Sequence, residues 1–85
     1  MAGAKSSGVR LVSSSELAAT AGVTLATVHY YTALGLLQVR RRTGNKHLYD
    51  SQEATARLQD IARLRHDGYS LALIRRMLSK EAREA

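Results

Sequence analysis

Two short stretches carry the side chains able to do chemistry. The first holds Thr24, Ala26, Thr27, His29 and Tyr30; the second holds Arg40, Arg41, Arg42, Asn45, Lys46 and His47. Hydroxyl, phenol and imidazole groups exchange hydrogen bonds, and guanidinium forks match the oxygens of a phosphate. Small residues such as Ala26 let a backbone approach a surface closely. Thr24 also stands where a helix starts, beside free amides that attract anions. The chemistry on offer is the recognition of a polyanion. Catalysis is not expected, because no nucleophile–His–carboxylate series, carboxylate pair or glycine-rich phosphate loop is legible. No cofactor or metal is expected either: cysteine is absent, and His29, His47 and His66 lack ligand spacing.

Charge supports the same direction. Thirteen Lys and Arg oppose seven Asp and Glu, for a net +6 in 85 residues. Residues 37–50 alone hold four basic groups and one acidic group, a net +3. A basic block inside a folded region favours a polyanionic partner. A charged hairpin also keeps strand edges from aggregating, which offers a second use for the same arginines. The N-terminus carries no long apolar run, so a signal peptide and a membrane helix are not expected, and an intracellular protein is.

The elements that position these residues follow from capping and periodicity. Residues 1–10 are Ala, Gly, Ser and Lys rich and read as a disordered tail. Ser13 and Glu16 have capping-box spacing, opening a short helix to about Thr20. Gly22 turns the chain, and Thr24 caps a second helix that Gly35 ends. Along that helix Leu25, Val28, Tyr31 and Leu34 recur at every third residue and are expected to pack inward. Ala26, His29, Tyr30 and Ala33 fall on the other side. Tyr31 reads as core, Tyr30 as a contact residue. Two short helices joined by a glycine turn form the helix-turn-helix pattern.

Leu36 to Tyr49 reads as a β-hairpin around Thr43-Gly44-Asn45, with Arg40 and Arg42 on one face and Arg41 on the other. Asp50 caps a third helix with Ala54, Leu58, Ile61, Ala62 and Leu64 at spacings of three and four, where they are expected to pack inward. Ser70 caps a fourth, in which Leu71, Ile74 and Leu78 form one stripe and Leu73 and Met77 another. The second stripe is a candidate surface for a second copy or another protein. The fold class is therefore mainly α: a winged helix-turn-helix of four helices with a two-stranded hairpin wing. The domain spans 11–80, and 81–85 are expected to fray.

Taken in order, these residues resemble the N-terminal DNA-binding domain of the MerR family of bacterial transcription regulators. Glu16-Leu17-Ala18, Ala21-Gly22-Val23-Thr24, Thr27-Val28-His29-Tyr30-Tyr31-Thr32 and Gly35-Leu36-Leu37 carry the resemblance. So do Arg41-Arg42 to Tyr49, Leu58 to Arg65, and Gly68-Tyr69-Ser70-Leu71 with Ile74. The resemblance covers Val12 to Leu78. It implies sequence-specific binding of double-stranded DNA in the bacterial cytoplasm, with the second helix in the major groove and the wing on flanking backbone. Three positions depart from the family pattern. His29 replaces an arginine, making a permanent charge conditional. Asn45-Lys46-His47 replaces the usual wing tip, and Gln38-Val39 follows where a proline is usual. Family members continue into a dimerising helix and a sensing domain; this sequence ends after the fourth helix, as a fragment or a minimal protein would. Two alternatives remain: an excisionase-like factor that bends DNA, and a protein-interaction module.

Overall fold

The computed structural model describes residues 9–84, with side chains described as far as Ser79. Most of the expected tail, residues 1–8, and the side chains of the expected frayed end lie outside the described residues. The elements run β1 (Leu11–Ser13), α1 (Ser14–Ala21), α2 (Leu25–Ala33), β2 (Arg41–Thr43), β3 (Lys46–Asp50), α3 (Ser51–His66) and α4 (Leu71–Glu84).

Each helix starts where its cap is written. Ser13 Oγ accepts from the Glu16 amide at 3.1 Å, and Glu16 Oε1 accepts from the Ser13 amide at 2.9 Å, a closed capping box. Thr24 Oγ1 accepts from the Thr27 amide at 3.0 Å, and Asp50 Oδ1 from the Glu53 amide at 3.1 Å. Ser70 Oγ accepts from the Leu73 amide at 3.2 Å. The stop after α2 is a Schellman motif. Gly35 has φ +83°, its amide donates to the Thr32 carbonyl, and the Leu36 amide donates to the Tyr31 carbonyl at 2.8 Å.

The wing differs from expectation in two respects. It is a three-stranded antiparallel sheet in the order β1-β3-β2, not a two-stranded ribbon. Leu11, Val12 and Ser13 pair with Asp50, Tyr49 and Leu48. Two strands alone are marginal in water, and β1 covers the second edge of β3. At three residues β1 is too short to show an alternating pattern in sequence. The hairpin itself begins later than Leu36: Leu36 and Leu37 are buried in the core, and pairing starts where the Arg40 amide donates to the Leu48 carbonyl. Thr43 faces Lys46 across the two-residue turn Gly44-Asn45. Gly44 has φ +60° and no other residue type has a positive φ among the described residues, which defines a type II′ turn.

Two apolar clusters hold the chain together. One contains Val12, Leu17, Val28, Leu37, Tyr49 and Leu58, with Ala18 and Ala54; the other contains Leu36, Ile61, Ile74 and Leu78. Tyr31 packs against both, joining α2 to each half. Burying one such Leu or Ile stabilises by about 1.5–3 kcal/mol. Two expectations of burial fail. Ala62 is exposed on α3, and Leu25 is 42% exposed. A line of every third residue drifts by about 60° per step on a helix of 3.6 residues per turn, so its ends cannot share one core. Val28 is fully buried, Tyr31 and Leu34 are half-buried, and Leu25 rotates out.

Candidate nucleic-acid interface

The outward ridge of α2 is made by His29, Tyr30, Ala26 and Ala33, all exposed. On one side of that ridge the hairpin tip rises across a cleft of about 510 Å³. Leu25, His29, Asn45, Lys46 and His47 line it, together with Ser13, Ser14 and Ser15. Helix and wing tip therefore face one concavity. No carboxylate lines it among the described residues, and its one permanent charge is the Lys46 ammonium.

The sheet register sorts the arginines. Residues directly opposite across an antiparallel pair lie on the same face. Arg42 pairs with His47, whose ring meets Tyr49 edge-on at 6.5 Å, so both share the face that carries Tyr49. Arg41 pairs with Leu48 on the other face. Arg40 precedes β2 and turns away from the tip: its guanidinium lies 3.5 Å from Asp50 Oδ2 and 3.7 Å from Glu53 Oε1, at the start of α3. Neither Arg40, Arg41 nor Arg42 lines the tip cleft.

At the start of α2, the Thr24 and Thr27 hydroxyls bond each other at 2.9 Å, so both are held by the cap. Tyr30 stands apart from the wing. It lines a second cleft on the opposite side of the ridge, about 540 Å³, with Ala33, Leu34, Leu71, Ala72, Arg75 and Arg76. The Arg75 side chain lies over Gly35 so closely that a β-carbon there would sit 3.2 Å from its Nε. Arg75 places a positive charge beside the carboxyl end of α2, where the helix dipole is negative.

Sequence reasoning missed five lining residues: Ser14 and Ser15 of α1, Leu25, Arg75 and Arg76. Leu25 had a readable signal, since it precedes His29 by four residues and shares its face. Ala72, Arg75 and Arg76 have the same three-and-four spacing on α4, but nothing in sequence says that α4 lies beside α2.

Two capped helices joined by a glycine turn, followed by a short antiparallel wing, define a winged helix-turn-helix domain. Residues 12–81 match the family described as MerR HTH family regulatory protein, and the chain belongs to that family. It is 41% identical over 63 residues to the nodulation protein NolA of Bradyrhizobium sp. (strain NC92), a stretch covering 74% of this chain and 27% of that protein. NolA of Bradyrhizobium elkanii is 40% identical over 63 residues, covering 74% of this chain and 29% of that protein. The chain thus spans less than a third of the length of the curated relatives it matches. No solved structure matches significantly. Among the described residues, no helix is long and apolar enough to cross a membrane.

Proposed function

We propose that this chain is the DNA-reading domain of a transcription regulator, binding double-stranded DNA sequence-specifically with α2 in the major groove. One observation carries the reading: His29 on α2 and Asn45, Lys46 and His47 at the wing tip line a single carboxylate-free cleft. An α-helix of about 10–12 Å diameter fills a major groove about 12 Å wide, so the two backbones run along the outer walls of the clefts beside it and the helix-side walls face the base edges. Lys46 and His47 meet the backbone on the wing side, with Arg42 on the same sheet face. Arg75, Arg76 and the Tyr30 phenol flank the other side of the ridge. Ala26 and His29 stand nearest the bases, and Thr24 and Thr27 shape the helix start between them. Arg41, on the reverse face of the wing, contributes to the field more than to contact. Arg40, held by Asp50 and Glu53, sets the base of the hairpin.

The test is selection of bound sites from a random duplex pool, followed by gel shifts of the winning sequence with wild type and Lys46→Ala. A single enriched motif, bound more weakly by the variant, supports the reading; retention of all fragments alike, unaffected by the variant, overturns it.

A second reading rests on α4. Leu73 is 41% exposed beside half-buried Met77, and this stripe would suit packing against another polypeptide or a second copy. Sedimentation of the chain with and without a selected duplex separates a monomer from an assembly.

A further inference from the structure

Leu25 is the one aliphatic side chain lining the tip cleft among the described residues. It is the first residue of α2, 42% exposed, and it belongs to neither apolar cluster. A single exposed leucine is ordinary on a protein surface. This one has an unusual setting. Every other group lining the cleft is a hydrogen-bonding one: three serines, two imidazoles, an amide and an ammonium. It also stands one helical turn before His29, on the same side of α2. Whatever enters the cleft against His29 and Lys46 meets an apolar patch at that place.

We infer that Leu25 is a specificity-determining residue that selects a pyrimidine bearing a C5 methyl group in the major groove, next to the base read by His29. The inference rests on the DNA-binding reading above and adds a chemical preference to it. In the major groove each base edge offers hydrogen-bond donors, acceptors or both, and thymine alone among the four common bases adds a methyl group. A leucine satisfies no donor or acceptor, so facing adenine, guanine or cytosine it would strip water from polar atoms and return nothing. Facing a methyl group, it removes apolar surface from water on both sides. Thymine and 5-methylcytosine share this chemistry and differ in the rest of their edge.

The experiment uses a duplex selected from a random pool, remade with deoxyuridine in place of thymidine at one position at a time. Uracil keeps the Watson–Crick pair and the O4 acceptor and loses only the methyl. Burial of one methyl-sized group at ~0.8 kcal/mol corresponds to about a fourfold change in affinity. Wild type is expected to lose about fourfold at one position per bound copy, Leu25→Ala to show no loss there, and Leu25→Met to keep it. If the selected site has cytosine at that position, C5 methylation gives the matching gain in wild type and none in Leu25→Ala. Circular dichroism checks that the variants are folded, and Leu25 is exposed enough for both to be tolerated. Binding that ignores uracil and C5 methylation at every position overturns the inference alone, as does a uracil penalty that survives in Leu25→Ala. Failure to retain any duplex overturns it together with the reading beneath it.

Discussion

The phenol of Tyr49 donates to Thr32 Oγ1 at 2.8 Å, joining the last strand of the wing to α2. The direction follows from counting protons. Thr32 has one hydroxyl hydrogen, which it gives to the Val28 carbonyl at 2.8 Å, so the Tyr49 hydroxyl must be the donor. Tyr49 is fully buried, and with no rival acceptor among its described partners its hydroxyl depends on Thr32.

That direction makes the two deletions unequal. Tyr49→Phe removes a donor and leaves Thr32 bonded to Val28, so it costs about 0.5–1.5 kcal/mol. Thr32→Val keeps the shape but strands a buried hydroxyl, at about 1–3 kcal/mol. Urea unfolding of both variants checks the order. Equal losses, or a larger loss for Tyr49→Phe, would reverse the assigned donor.

Affinity for DNA should depend steeply on salt. About five neutralised phosphates give a slope of log affinity against log salt near −4 to −5. Arg42→Ala should weaken selected and random duplexes alike and reduce that slope by about 1. Titrations at several potassium chloride concentrations measure it, and an unchanged slope removes Arg42 from the contact set.

Arg40 should behave differently from Arg42 despite lying two residues away. Its charge already faces Asp50 and Glu53. Arg40→Ala is therefore expected to leave the salt slope nearly unchanged, because the phosphates lose no direct partner. A slope reduced as much as in Arg42→Ala would show that the ion pairs break when DNA arrives.

His29→Ala should redirect preference among sites without a uniform loss. Repeating the selection with the variant gives the answer, and an identical motif would place His29 off the bases.

Gly35→Ala tests the end of α2. A left-handed φ costs a non-glycine residue about 1–2 kcal/mol. The added β-carbon must also displace the Arg75 side chain, 3.2 Å away. Thermal unfolding should report a loss of at least that size. A variant as stable as wild type would mean that the turn relaxes freely.

The parts of the fold legible in sequence were those with local causes. Ser13, Thr24, Asp50 and Ser70 bond amides three residues away, so their helix starts could be read directly. The Gly44 turn announced the hairpin for the same reason. What was not legible depends on long-range pairing. β1 exists because β3, far along the chain, offers it an edge. Tyr30 and Lys46 both looked like members of one surface, yet α2 separates them into two clefts, a division fixed by where α4 packs. Arg40 gave no sign in sequence that two carboxylates would hold it. Leu25 was misread because a three-residue period was followed beyond the arc that a single core can cover.

Tyr31 touches both apolar clusters, so α2 is bolted to the two halves of the domain at once. A helix anchored on two sides resists rolling or swinging on its own. If α2 enters a groove as proposed, a mismatch in groove width falls on the duplex, and its sequence-dependent stiffness then enters the free energy of association. Base steps that α2 never touches would then influence which duplexes such a domain prefers.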